Sequence, residues 1–211
     1  MIKYEKSPKA IYAKSFATVR EEADFSRLPQ DLHSTAIRLI HACGMVDIVD
    51  DLVFSKDVHA AASSAISAGA PIICDVEMVG AGIIRRYLGG NDIIVTLNDV
   101  RTPDLAKTLG TTRSAAAVEL WRDYIEGAVV AIGNAPTTLF YLLEKLDEGW
   151  PKPAAILGFP VGFVGAAESK AELAANPRGV PFLALQGRRG GSAIASAAVN
   201  AMAAGLPEEK Q

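Results

Sequence analysis

Three side chains that could do chemistry recur at helical spacing between residues 30 and 44. Ser34, Arg38 and His41 are separated by four and then three residues, so on an α-helix they share one strip. The apolar residues on the opposite strip are Leu32, Ala36, Leu39, Ile40 and Cys43. His41 lies in the last turn before Gly44, a common helix stop, where the partial negative charge of the helix end favours imidazolium. The pattern makes His41 a candidate general acid, but from spacing alone a surface helix with a capping histidine and a solvated Arg38 is the more common case.

Two further segments could bind an anion. Residues 187–192 (GRRGGS) precede the last predicted helix, with Ser192 as its N-cap, and helix-start amides beside Arg188 and Arg189 suit an anion. A glycine-rich turn with solvated arginines fits the same string equally well. Arg113 falls in the first turn of another predicted helix, where the helix dipole makes a cation mildly unfavourable. An arginine at such a position indicates a role in binding a ligand.

Other chemistries lack their patterns. The chain has no GxSxG string and neither of the glycine-rich fingerprints that bind nucleotide phosphates. Its three histidines, His33, His41 and His59, do not have the spacing of metal ligands. Asp75 and Glu77 lie at the end of a predicted strand and could act as acid, base or magnesium ligands, but such a pair more often caps the next helix.

Composition indicates one globular domain over residues 1–211, with half of the residues hydrophobic. A net charge of -3 argues against binding to nucleic acid or to an anionic membrane surface. Cys43 and Cys74 lie far apart without a CxxC motif, so we expect reduced thiols and a cytoplasmic protein. The N-terminus does not resemble a signal peptide, and glycine and proline interrupt the longest apolar stretch, residues 153–167.

The elements that must position these side chains alternate between strands and helices from about residue 56 onward. The predicted strands are residues 71–76, 92–97, 127–132, 154–158 and 181–185, and predicted helices between them include 112–124, 137–148 and 165–175. Continuously apolar strands are typical of a sheet covered on both faces. We therefore predict an α/β three-layer sandwich around a mostly parallel sheet, preceded by two helices at residues 9–20 and 30–43.

Seven short strings, in this order, resemble the precorrin-8X methylmutase (precorrin isomerase) family over about residues 8–203. They are AIYAKSF (10–16), RLIHACG (38–44), PIICDVEMV (71–79), TTRSAA (111–116), IGNAPT (132–137), GFPVGFV (158–164) and GRRGGS (187–192). The resemblance implies an α/β sandwich and a homodimer with its site close to the subunit interface. It also implies an isomerase of cobalamin biosynthesis, which moves a methyl group from C-11 to C-12 of precorrin-8X to give hydrogenobyrinic acid without a cofactor or a metal.

The resemblance also assigns residues. The family histidine corresponds to His41, as the catalytic proton donor. Ser15 and Arg38 match positions that contact the substrate, Arg113 matches an arginine near the site, and Arg188 matches through the glycine-rich string. The string around His41 is closer to the branch that acts on metal-free substrates, and we expect the product to pass to the next pathway enzyme. The alternative is a carrier that holds the corrinoid product without catalysis.

Overall fold

The computed structural model describes residues 2–206 and contains a six-stranded sheet of order β1-β6-β5-β4-β2-β3. The strands are β1 Leu52–Phe54, β2 Ile72–Cys74, β3 Ile93–Val95, β4 Val129–Ile132, β5 Ala155–Gly158 and β6 Phe182–Leu185. β2 to β6 pair in parallel, whereas β1 pairs antiparallel with β6. The prediction of a mostly parallel sheet is confirmed.

Helices of the described residues follow most of the strands. The α-helices are α1 Pro8–Glu22, α2 His33–Cys43, α3 Val58–Ser67, α4 Glu77–Gly82, α5 Thr102–Leu109, α6 Arg113–Ala116, α7 Pro136–Asp147, α8 Ala166–Ala175 and α9 Ser192–Ala204. Short 3₁₀ helices cover Gln30–Leu32, Val46–Asp51, Arg85–Tyr87 and Ala117–Trp121. No helix within residues 2–206 has the length and apolarity to cross a membrane.

The sheet buries both of its faces, as its continuously apolar strands predict. On β4, Val129 and Ala131 join the core formed with α1, α2, α3, α4 and α9, and Val130 and Ile132 join the core formed with α7 and α8. Successive side chains of a strand point to opposite faces, so a strand covered on both sides must be apolar throughout. The three-layer arrangement and the two helices before the sheet are confirmed.

Two local expectations differ from the structure. Residues 112–124 do not form one helix, because the chain tightens into a 3₁₀ helix at Ala117. There the Thr96 hydroxyl donates to the Ala117 carbonyl at 2.8 Å and accepts from Trp121 Nε1 at 2.8 Å. Strand β1 is not among the predicted strands, because three residues give too little pattern and the pairing partner, β6, lies about 130 residues away.

Helix α9 packs beneath α2, the helix that carries Arg38 and His41. Almost all of its side chains are buried, and it packs against α2, α3 and α4 as well as the sheet. Small residues allow the close approach: a Cβ on Gly82 of α4 would lie 2.4 Å from the Ser196 Oγ of α9. The end of α2 is therefore held at a fixed position over α9.

Candidate active site

His41 is held by two helices at the point where α2 ends. Its Nδ1 lies 2.7 Å from the Ser15 Oγ of α1, and its ring packs against Tyr12 and Phe16, with centroids 5.4 and 5.1 Å away. Gly44 ends α2 in the left-handed conformation with φ of 71°, as predicted. Among the described residues, Nε2 has no hydrogen-bond partner, so one ring nitrogen is fixed and the other is available to a ligand.

The charge state of His41 differs from the expectation. Burial lowers the pKa of His41 below its ordinary value, and the nearby Arg38 guanidinium lowers it further. These two effects outweigh the helix end, whose influence is weak and local. In the unliganded protein, burial and Arg38 therefore disfavour the imidazolium that the helix end alone would favour.

Two cavities meet at His41. One, of about 420 Å³, lies between α1 and α2 and is lined by Glu5, Ile11, Lys14, Ser15, Thr18, Val19, Glu22, Ile40, His41, Gly44 and Val46. The other, of about 350 Å³, lies between α2, α4 and α9 and is lined by Arg38, His41, Ala42, Met78, Gly82, Ala193, Ser196, Ala197 and Asn200. The imidazole is thus the shared wall of two sites of small-molecule size.

Arg38 lines the second cavity, but it is not solvated. Arg38 is only 6% exposed. Its Nη1 donates to the Gly205 carbonyl at 3.2 Å, and its Cζ lies 5.3 Å from the Tyr87 ring centroid. The surface-helix interpretation of this strip is therefore wrong for Arg38. Ser34, one turn earlier, lines a separate cavity with Asp31 at the other end of α2. Of the three residues on this strip, Arg38 and His41 therefore share a cavity and Ser34 does not.

The sequence and the fold have counterparts among known proteins. Residues 10–204 match the family model of precorrin-8X methylmutase. The chain belongs to the precorrin-8X methylmutase family. Members of this family are isomerases.

Three relatives illustrate the range of the methylmutase family. A precorrin-8X methylmutase of Pseudomonas aeruginosa is 60% identical over 204 residues, 96% of this chain and 98% of that protein. A cobalt-precorrin-8 methylmutase of Priestia megaterium is 36% identical over 197 residues, 92% of this chain and 87% of that protein. The crystal structure of the Thermus thermophilus precorrin-8X methylmutase superposes with a TM-score of 0.83 at 34% identity, covering 92% of this chain and 94% of that one.

The two other arginines that the methylmutase resemblance assigns do not line either cavity at His41. Arg113 is exposed at the start of α6, and its Nη2 donates to the Leu97 carbonyl and to Asn98 Oδ1, both at 3.0 Å. Arg188 is exposed too, with its Cζ 5.6 Å from the ring centroid of Phe163. The structure of one chain brings Ser15, Arg38 and His41 together and leaves Arg113 and Arg188 apart from them.

Arg189 has a different part from its neighbour in the glycine-rich string. Its guanidinium pairs with Asp47 and Asp51, both at 2.6 Å, in the 3₁₀ helix that follows α2. Lys170 of α8 is fully buried and donates to the Arg189 carbonyl at 2.5 Å; burial lowers the pKa of Lys170 to about 8. Ser192 is the first residue of α9 rather than its N-cap, which is Gly191 and makes no side-chain cap. The ion pairs of Arg189 therefore join this loop to the 3₁₀ helix that follows α2.

Asp75 has a structural role, but not the helix-capping role that the sequence favoured for the Asp75–Glu77 pair. The Asp75 carboxylate is buried and accepts hydrogen bonds from three successive amides, those of Gly133, Asn134 and Ala135, at 2.9 to 3.0 Å. Burial raises the pKa of Asp75, against the effect of these bonds. It fixes the loop after β4 rather than capping α4. Within residues 2–206, no group of three or more His, Cys, Asp or Glu side chains could hold a metal ion.

Sequence reasoning missed three residues near the second cavity: Arg86, Tyr87 and Asn200. Asn200 is a buried polar residue in a helix of small apolar residues, and that contrast is the one signal that could have revealed it. Arg86 and Tyr87 belong to a short 3₁₀ helix without a periodic pattern. Their relation to Arg38 depends on tertiary packing, which no local spacing contains.

Proposed function

We propose that this chain converts precorrin-8X into hydrogenobyrinic acid by moving a methyl group from C-11 to C-12, with His41 as the proton donor. The observation that carries the proposal is the imidazole itself, which Ser15 anchors through Nδ1. The imidazole faces two cavities, and Nε2 has no hydrogen-bond partner within residues 2–206. Membership of the methylmutase family supports the reaction class. The higher identity to the Pseudomonas protein, named for precorrin-8X, than to the Priestia protein, named for cobalt-precorrin-8, favours the metal-free substrate.

The reaction needs one bond broken and one formed within the same molecule. The methyl carbon leaves C-11 and bonds to C-12 in a [1,5]-sigmatropic shift, so atoms and electrons balance without a co-reactant. A proton lent by His41 Nε2 to a ring nitrogen polarises the conjugated system and lowers the barrier; it returns to Nε2 after migration. Positioned acid catalysis of this kind contributes roughly 10²–10⁴-fold.

Ser15 suits both protonation states of the imidazole. In the neutral ring, the Ser15 hydroxyl donates to Nδ1 and so places the hydrogen on Nε2, toward the ligand. In the imidazolium, the same hydroxyl accepts from Nδ1–H. The macrocycle carries several carboxylates, and their arrival offsets the positive charge that disfavours imidazolium in the empty site. The acid therefore forms in the complex, where it is used.

Arginines on the macrocycle's periphery complete the proposal. Arg38 binds a carboxylate from inside the second cavity, and Arg113 and Arg188 bind others from exposed positions. Neither exposed arginine lines a cavity with His41, which supports a site to which a second copy of the chain contributes them. We therefore propose a homodimer with the site near the subunit interface, located in the cytoplasm, that passes its product to the next pathway enzyme.

Replacing His41 by Ala tests the proposed chemistry. We expect the variant to bind the macrocycle but to lose roughly 10²–10⁴-fold in kcat, measured from the change in visible spectrum on conversion of precorrin-8X. His33→Ala is the matched control, because His33 lies at the other end of α2 and lines neither cavity. A wild-type rate in His41→Ala would contradict the acid role. A wild-type protein that binds the macrocycle but forms no new chromophore would instead be a carrier.

A further inference from the structure

Two guanidinium groups lie over a single aromatic ring beside the second cavity. The Cζ atoms of Arg38 and Arg86 are 5.3 and 5.1 Å from the centroid of the Tyr87 ring. Arg38 is buried and Arg86 is exposed, so the cluster extends from the cavity to the surface. Burial acts to raise the pKa of Tyr87, but hydrogen bonds and positive charge from Arg38 and Arg86 lower it below its ordinary value. Positive charge is thus concentrated at this ring.

The segment that carries Arg86 and Tyr87 is fixed to α9. Asn200, only 5% exposed, accepts from the Ile84 amide at 2.7 Å and donates to the Gly82 carbonyl at 2.9 Å. A side chain at Gly82 would collide with Ser196, as described above. Asn200, Gly82 and Ser196 also line the cavity of Arg38 and His41. The arginine cluster and the cavity are therefore parts of one rigid wall.

No carboxylate of residues 2–206 forms an ion pair with Arg38 or Arg86. Arg38 donates to a neutral carbonyl, that of Gly205, and stacks on a neutral ring. A buried cation without an anionic partner is costly, and the planar fork of a guanidinium matches a carboxylate. The cluster consequently has the charge and the donors for an anionic ligand that the described chain does not itself supply.

We propose that Arg38 and Arg86, arranged over Tyr87, form a subsite for peripheral carboxylates of the macrocycle. The subsite rests on the proposed function, because it assumes that a polycarboxylate macrocycle occupies the cavity beside His41. It adds Arg86 to the binding residues and gives Tyr87 the part of a platform that orients both guanidinium groups.

The subsite also acts on His41. The charged groups that line the cavities at the imidazole are Glu5, Lys14 and Glu22 on the α1 side and Arg38 on the α2 side. The described residues of α4 and α9 that line the second cavity are uncharged. A carboxylate bound at Arg38 therefore offsets the positive charge of its guanidinium. This favours protonation of His41 in the complex.

Arg86→Ala tests the subsite, with Arg85→Ala as its matched control. Arg85 makes the same change of charge one residue earlier, but it lines a different cavity with Glu77, Ile93 and Val95. The probes are hydrogenobyrinic acid and its fully esterified derivative, titrated by absorbance. We expect Arg86→Ala to weaken binding of the acid roughly tenfold or more and to leave binding of the ester unchanged, because only the acid has carboxylates. Arg86→Lys should recover part of the loss.

Three results separate the possibilities. Equal binding of the acid by Arg86→Ala and Arg85→Ala would overturn the subsite while conversion of precorrin-8X by the wild type upheld the proposed function. Equal weakening of acid and ester would assign Arg86 to packing and also overturn it. A wild type that does not convert precorrin-8X would overturn the proposed function itself, and the subsite with it.

Discussion

Two regions of the molecule combine arginines with close backbone packing, and they use them differently. At the end of α2, tertiary packing leaves His41 Nε2 and the Arg38 guanidinium facing cavities. In the loop at residues 187–191, the close contacts hold the loop itself: a Cβ on Gly190 would lie 2.3 Å from the Phe159 carbonyl oxygen, and Lys170 and Arg189 clamp the rest. The glycines and Arg189 of residues 187–191 thus mainly stabilise the loop. The end of α2, where His41 faces two cavities, is the better candidate for catalysis.

The largest effect that would sharpen this contrast is expected at Ser15. Ser15→Ala removes the 2.7 Å contact that fixes His41 Nδ1, so the ring loses both its orientation and its preferred tautomer. We expect kcat to fall roughly 10- to 100-fold, the range for losing a hydrogen bond to a charged group, with little change in the melting temperature. Steady-state kinetics with precorrin-8X measure it.

Thr18→Ala is the control for Ser15→Ala. Thr18 lies on the same helix and lines the same cavity, but the hydroxyl that hydrogen-bonds His41 Nδ1 is that of Ser15. It should change kcat by less than about twofold, within the range of a surface substitution. Equal losses in both variants would mean that α1 contributes only the cavity wall and that the hydrogen bond is incidental.

Local pattern could predict α2, its stop at Gly44 and the candidacy of His41, because all three depend on neighbours within one or two helical turns. It could not predict the lowered pKa of His41, which depends on burial and on Arg38, or the Ser15 contact, which joins residues 26 positions apart. The surface-helix interpretation was wrong for Arg38 for the same reason, because Arg38 is buried and contacts Gly205, which follows α9 and is 167 residues away. The position of Arg86 beside Arg38 could not be predicted either, because it depends on the packing of α4 against α9.

A smaller effect is expected at Arg38, and its sign tests the electrostatics. Arg38→Met keeps much of the packing volume but removes the charge that lowers the pKa of His41. The imidazolium is the acid, so kcat/KM of the free enzyme falls as pH rises through that pKa. We expect the fall to move to higher pH in Arg38→Met, together with a severalfold higher KM for precorrin-8X.

Glu22→Gln provides the comparison for the pH profile. Glu22 lines the other cavity at His41 and does not contribute to the lowered pKa of His41. The position of its pH profile should match the wild type. If Arg38→Met left the profile in place or moved it to lower pH, Arg38 would not be a cause of the lowered pKa of His41. An unchanged KM would remove Arg38 from the substrate contacts.

The smallest effect is expected in the glycine-rich loop, where neighbouring arginines form a matched pair. Arg189→Ala removes two ion pairs with Asp47 and Asp51 at partly exposed positions, so we expect a loss of about 1 kcal/mol in the free energy of unfolding. Arg188→Ala removes only an exposed contact with Phe163 and should be nearly neutral in stability. Denaturant unfolding of both variants measures the difference. A greater loss of stability in Arg188→Ala would contradict this assignment. Arg188, the arginine that the family resemblance assigns to the substrate, would then stabilise the loop more than Arg189 does.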